Sequence, residues 1–441
     1  MVKKCFMVAI TAFLTWALCA VAELPVPKNP LWEPIVDEAY LQEVASHIET
    51  ENPLNAVAVF EGKAYVGDAR GVAVVEDDAL KRLEAPIDNI ARLKVLDNAL
   101  WAASPEGLAK FDGSAWSLAT DMPAVDMCLH NGQLVFASGR ALYTLANDSP
   151  TPLSDESSTN LLGIAPYSGT VYVHDGKRVG LLERGHLVYE EITDWGSLEH
   201  GCTIRDIMSY GSRLYFATDE GLCLLRGMTW YHIVGEDGLC YEDTTCLARG
   251  FDRDLWIGTM RGGIRNVDGE YQFLGYPRWI PHDKVNAIAC GDNVTYLATD
   301  GGLGIITYEP YTLAKKAAYY ERWLDEWGQK RLGFIHSLFL IDGKWQREVS
   351  DNDVGYSSHY LHAKCFEYAV TGNAETRAEA VNMMKSMKWS EEITPIDGFP
   401  ARSIYAAGEP CVKAQHGSGG LPAEWHPTPD GVWEWKGDTS S

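Results

Sequence analysis

Ser350-Asp351-Asn352-Asp353 leads directly into Tyr356, His359, Tyr360 and His362, and Arg402 follows further along the chain. His359 falls one helical turn after Tyr356, so the two can share a face, and a helix N-terminus beside them would favour an anionic substrate group. A tyrosine or histidine can take the proton beside a uronate carboxylate, while an asparagine, arginine or histidine neutralises that carboxylate so that an enolate can form. Asn352, Tyr356, His359 and Arg402 are the candidates for those roles. Glycoside hydrolysis instead needs two carboxylates flanking the bond, and Asp351 with Asp353 or Asp438 would supply them. Asp351 and Asp353 serve equally well as a helix cap. His359 and His362 with Asp351 could hold a metal, but histidines three apart are not specific ligands; no metal and no cofactor are assigned.

Trp425, Trp433 and Trp435 lie in a polar, proline-rich stretch with His426 and Lys436. Exposed indoles stack on sugar rings, so Trp425, His426 and Lys436 are candidate substrate-binding residues. Trp433 and Trp435 also alternate, which fits a strand with one buried face.

These residues depend on helices. Leu313, Ala317, Tyr320, Leu324 and Trp327 recur at helical spacing after Thr312, a suitable N-cap, and Gly328 is a suitable stop. A second helix is expected over Val354–Val370 with Gly372 after it, and a third over Ala374–Met387 with Asn373 as cap. Leu338–Leu340 reads as a short extended stretch between the first two.

The longer part of the chain is a repeat. Short apolar-aromatic segments centre on Tyr65, Trp101, Val135, Tyr172, Tyr215, Trp256 and Tyr296, spaced by 34 to 43 residues. A turn precedes each segment, as in Glu61-Gly62 or Asn131-Gly132, and in several copies a second, glycine-containing turn follows, as in Glu106-Gly107-Leu108 or Gly301-Gly302-Leu303. Glycine suits hairpins that need positive φ, and one four-stranded blade per repeat accounts for the spacing. The expected fold is mainly β, a seven-bladed β-propeller over 54–308 with a smaller, mostly α-helical C-terminal module over 309–441. Residues 23–53, including an expected helix Tyr40 to Ile48, would cover the propeller's seam.

Asp254-Leu255-Trp256-Ile257-Gly258-Thr259 with Gly262-Gly263-Ile264 resembles the two-component-regulator propeller repeat. That family implies a sugar-sensing propeller of the exported space. The helical tail resembles the opening part of the (α/α) toroid found in polysaccharide lyases and glycoside hydrolases, and would be an incomplete one, so that the chain could be a fragment. The two resemblances imply a carbohydrate-active protein, a lyase or hydrolase on a propeller scaffold. The alternatives are a non-catalytic glycan-binding or sensing propeller and a protein-interaction scaffold.

Lys3 and Lys4, the apolar run Phe6–Ala22 and Ala20-Val21-Ala22 describe a cleavable signal peptide, 1–22. The expected location is periplasmic or extracellular, with no stable membrane anchor after cleavage. The net charge of −24 would fall to −26 once Lys3 and Lys4 are removed. Long-range repulsion then opposes nucleic acid and anionic membranes; the partner that the two resemblances imply is an oligo- or polysaccharide. Eight cysteines would remain; Cys240 and Cys246 are near enough to close a small disulfide loop, while buried thiols would act as small apolar residues.

Overall fold

A computed structural model describes residues 36–146, 149–189, 202–349, 352–409 and 425–437. It divides into two compact units, one running from Tyr40 to Pro310 and the other containing residues 36–39 and the chain from Tyr311 onward.

In the first unit the described residues form seven four-stranded antiparallel sheets. Each of the first six is one continuous stretch of chain, and the seven repeat centres all fall in second strands, from Lys63–Asp68 in the first sheet to Val294–Thr299 in the seventh. The innermost strands are Ala56–Phe60, Arg92–Leu96, Asp126–His130, Gly163–Tyr167, Ile204–Tyr210, Thr244–Arg249 and Val285–Gly291. Each adjoins the next, and the seventh adjoins the first. Apolar clusters fill the spaces between neighbouring sheets. Phe60, Tyr65, Leu100 and Phe111 lie between the first and second; Leu54, Val66, Ala298 and Leu303 lie between the seventh and first. Large buried side chains on both faces of each sheet explain the near-continuous apolar runs of the second strands.

The turns follow from residue type. Glu61-Gly62 and Asn131-Gly132 hold φ of 48° and 75°, and 50° and 74°, the paired positive values of a tight two-residue hairpin turn. Gly302 is required for a different reason: its φ is 132°, and a Cβ there would lie 2.1 Å from the carbonyl oxygen of Ile48.

That contact identifies one correction. Tyr40–Glu49, expected as a helix to Ile48, is a ten-residue strand that pairs with Gly302–Tyr311 and becomes the fourth strand of the seventh sheet. Leu41, Val44 and Ile48 do suit a helix locally. The C-terminal end of the repeat region supplies only three strands, however, and the free edge of Gly302–Tyr311 has unpaired backbone groups that an extended segment can satisfy. Side chains support the pairing: Thr307 Oγ1 donates to the Val44 carbonyl (3.3 Å), and Arg265 reaches Glu43 (3.7 Å) while holding Asp254 at 2.6 Å. The last sheet is therefore built from both ends of the unit.

In the second unit, helix α1 (Leu313–Glu326) begins at Thr312, whose hydroxyl accepts from the Lys315 N–H, and the Asp37 carboxylate accepts from Leu313 and Ala314 N–H groups. Two short hairpins follow, the second pairing Leu338–Ile341 with Lys344–Arg347. Helix α2 (Asp353–Thr371) ends at Gly372 with φ of 65°, and α3 (Ala374–Glu392) starts at Asn373, whose side chain accepts from Glu375 and Thr376 N–H groups. The strands Ser403–Ala406, Trp425–Pro427 and Trp433–Lys436 form a small sheet with the last in the middle. Phe334, Ala401, Ile404 and Trp435 form the core there. The module is thus three helices interleaved with hairpins and a sheet, and α3 extends five residues past the expected end.

Replacing Gly302 tests the seam. Gly302→Ala should lower the unfolding free energy by about 2 kcal/mol or more, because backbone strain and a collision add. Gly132→Ala, where φ is positive but nothing lies within 4 Å, should cost only about 1 kcal/mol. Equal losses in urea titrations would contradict the close approach of the Tyr40–Glu49 strand.

Candidate functional site

The phase of α2 turns the glycosidase candidate Asp353 away from the lyase candidates Asn352, Tyr356 and His359. Asp353, Ser357 and Lys364 are buried, whereas Asn352, Tyr356, His359 and His362 are exposed, Tyr356 by 47%. One residue of offset on a helix turns a side chain by about 100°, enough to place neighbours in sequence on different sides. Asp353 accordingly faces the module's interior, where its Oδ1 lies 3.1 Å from His336 Nδ1. Burial pushes the Asp353 carboxyl above its usual range, opposed by His336, Ser403 and Arg331. His336 is itself 1% exposed, and its Nε2 has no hydrogen-bond partner among the described residues. Arg402 is half-buried and its backbone N–H donates to the Lys436 carbonyl. Asp351, Asp438, Cys411 and His416 lie outside the described residues.

The candidate substrate-binding residues also separate. Trp425 and Lys436 are opposite each other in the small sheet, and both are buried; Trp425 packs edge-on against Tyr405, with ring centres 4.9 Å apart. Although its strand is at the sheet's edge, the Trp425 ring is covered by Val349 and Tyr405, so the reading of Trp425 as an exposed indole is corrected. His426 remains exposed and its ring lies 4.5 Å from that of Trp435. Trp433 and Trp435 do form a strand, with Trp433 against Trp389.

Two buried features escaped the reading of residue types. Lys364 sits among Glu321, Glu367 and Glu379, from all three helices, and Tyr360 donates to Glu321 and Glu379. Burial would lower Lys364, but those carboxylates hold it above the usual lysine range. A lysine at a buried helical position was the only available signal. The other is the His336–Asp353 pair, which comes from a hairpin and a helix with no shared periodicity.

In the first unit, the inner strands of all seven sheets line a cavity of about 520 Å³. Equivalent places in those strands hold Ala56, Arg92, Asp126, Gly163, Asp206, Cys246 and Ala287. Arg92 bonds Asp206 across 3.2 Å, from the second sheet to the fifth, and Lys94 bonds Asp126 across 2.6 Å. Each aspartate also accepts a backbone N–H from the next sheet, Ile164 for Asp126 and Leu247 for Asp206. Burial alone would raise Asp126, but Lys94 and Arg92 hold it below the usual range; burial pushes Asp206 up despite Arg92. Two cations and two anions answer one another, so the cluster is a set of pins.

The fourth sheet inverts the sizes found elsewhere. Opposite those places the second strands carry Gly67, Ala103, Ala137, Ala217, Gly258 and Ala298, but the fourth has His174 facing Gly163. A Cβ on Gly163 would come within 2.3 Å of His174 Nε2. His174 is fully buried, and neither ring nitrogen has a partner among the described residues. Burial, helped by Arg92 and opposed by Asp126, pushes its pKa down to about 4.

Cys128 and Cys246 are buried thiols raised to about 12 by burial, in keeping with a packing role. Cys240 and Cys246 are both free, so the small disulfide loop is not formed. Among the described residues no helix is long and apolar enough to cross a membrane, and no group of His, Cys, Asp and Glu gathers to hold a metal ion.

No protein-family model matches the chain, and no curated protein matches it. Solved structures do. The extracellular domain of a putative hybrid two-component system from B. thetaiotaomicron aligns at a TM-score of 0.51 and 14% identity, covering 71% of this chain and 45% of that one. A second such extracellular domain from B. thetaiotaomicron gives 0.49 and 15%, covering 67% and 42%. A catalytically inactive virginiamycin B lyase from Staphylococcus aureus, solved with quinupristin, gives 0.49 and 13%, covering 60% of this chain and 99% of that one. The chain spans less than half of each extracellular domain. At these identities the likeness concerns the fold: a mainly β chain on a propeller scaffold.

His174 makes a pH prediction. Its folded pKa lies below the unfolded value of about 6.5, so between those values the unfolded chain binds a proton that the folded one refuses. The neutral ring's contribution is therefore complete above about pH 6.5 and is lost as pH falls toward 4. Between about pH 7 and pH 5 the loss should be about 2 kcal/mol. His174→Leu should flatten the measured pH dependence of unfolding by that amount; an unchanged slope would place the ring in contact with solvent.

Proposed function

We propose that the chain is an exported, non-catalytic carbohydrate-recognition protein built on a closed seven-bladed propeller. The observation that carries binding over catalysis is the split along α2. Asn352, Tyr356 and His359 stand exposed to solvent, so the lyase candidates lack a protected site, and the glycosidase candidate Asp353 turns inward, away from them, to His336. General acid–base chemistry needs its groups within hydrogen-bond reach of one reacting centre. The resemblance to the two-component-type repeat supports a saccharide as ligand, and the likeness of the scaffold to the extracellular domain of a putative two-component system supports the exported space as location.

A second reading keeps an enzyme, a polysaccharide lyase or glycoside hydrolase with an incomplete toroid as its tail. Its support is His336, whose Nδ1 lies against Asp353 and whose Nε2 is unpartnered. A carboxylate behind a histidine orients it as a base.

Purified protein incubated with a panel of acidic and neutral oligosaccharides separates the two. Calorimetric binding without ultraviolet absorbance from an unsaturated product, and without release of reducing sugar, is the expected result. Turnover that His336→Ala or Tyr356→Phe abolishes would replace it with the enzyme reading. Absence of binding to every saccharide would refute the recognition role.

A further inference from the structure

A groove of about 630 Å³ opens on the fifth and sixth sheets, lined by Tyr210, Arg213, Tyr215, Arg253, Asn266 and Tyr271. Its position follows from turns. Gly211-Ser212 joins the first two strands of the fifth sheet and brings Tyr210 and Arg213 to its ends, Arg253 lies in the corresponding turn of the sixth, and Asn266 and Tyr271 flank that sheet's last hairpin.

The fifth-sheet turn, Gly211-Ser212, is uncharged and is followed directly by Arg213, and the sixth-sheet turn sets Arg253 beside Asp252. The same turns in the other sheets carry Glu61, Asp97, Asn131, Ser168 and Asp292, and Lys63 beside the first of them is paired with Glu76 at 3.0 Å. Neither Arg213 nor Arg253 forms an ion pair among the described residues. Arg213 instead donates to the hydroxyl of the buried Tyr215 at 3.1 Å, a bond that fixes where the guanidinium points and leaves its other donors available. A chain of net charge −24 therefore presents two carboxylate-free arginines, with Asp268 as the acidic residue of the lining. Guanidinium groups bind carboxylates through a planar fork, and tyrosine rings offer flat apolar faces with a polar edge to a sugar. Asn266 adds an amide that can both donate and accept. Arg249 is drawn away from this set: it donates to the Ser209 carbonyl at 3.1 Å and lies over the Tyr210 ring.

We propose that this groove binds a uronate-containing oligosaccharide, with Arg213 and Arg253 taking the carboxylate and the tyrosines taking the sugar faces. The assignment rests on the carbohydrate-recognition reading and adds a place and an acidic ligand to it. The tip position of Arg253 makes it replaceable without touching the core, and Arg213→Lys retains charge while losing the fork.

The probe is an oligogalacturonate, compared with its methyl ester, in titration calorimetry on the full chain. The wild type should bind the acid at least tenfold more tightly than the ester. Arg253→Gln and Arg213→Lys should each weaken the acid about tenfold and the ester little, with unchanged melting temperatures. Tyr271→Ala should weaken both ligands. Acid binding that survives the Arg213→Lys/Arg253→Gln double variant would overturn the groove while leaving saccharide recognition standing. Equal affinity for acid and ester would overturn the acidic class. Binding of neutral oligosaccharides alone would do the same, whereas no binding of any saccharide would remove the recognition reading as well.

Discussion

Arg92 reaches across the inner cavity to Asp206, linking inner strands 114 residues apart in sequence, and the arrangement of the repeat unit depends on charges and polar groups of this kind. Sheets packed only through apolar faces can slide, because dispersion and hydrophobic burial have little direction. Polar atoms that must be satisfied do have direction. Lys94 donates to the Met127 carbonyl, Asp126 accepts from Ile164, Thr245 donates to the Val285 carbonyl and Asn286 to that of Leu54. Each bond joins one inner strand to the next sheet, and the last joins the seventh sheet to the segment leading into the first. Removing one partner from the Arg92–Asp206 pair would leave a buried charge unanswered, at a cost of several kcal/mol.

The same arrangement explains why the centre and the rim differ in use. Near the axis, equivalent positions are small or mutually neutralised, and the single large exception, His174, is accommodated by Gly163 opposite it. At the hairpin tips, Glu61, Asp97, Asn131 and Arg253 are exposed and face no such packing demand. A repeat scaffold thereby separates the residues that hold it together from those free to vary around one end.

In the second unit the comparable constraint is Lys364. Its amine is held by Glu321 from α1, Glu367 from α2 and Glu379 from α3, so one buried cation sets the rotation of all three helices. That rotation turns Asp353 toward His336 and leaves Tyr356 and His359 outside. Asp353 is thereby held apart from the exposed Tyr356, His359 and His362 of the same helix.

The sequence by itself determined whatever depends on near neighbours. The seven repeat centres, the positive-φ hairpins at Glu61-Gly62 and Asn131-Gly132, and the helix starts at Thr312 and Asn373 are local facts, encoded by side-chain type within a few residues, and the structure has each of them. Only the tertiary structure decided whatever depends on distant partners. Tyr40–Glu49 has a helical pattern but meets an unpaired strand edge more than two hundred and fifty residues away. Trp425 and Lys436 look exposed in a proline-rich stretch, yet a third strand, Ser403–Ala406, completes a sheet that buries them. Asp353 and Tyr356 are adjacent turns of one helix, and which of them faces inward is set by Lys364 and its carboxylates. Periodicity specifies that an element has faces; the partners that satisfy its polar groups and cover its apolar ones choose which face is functional.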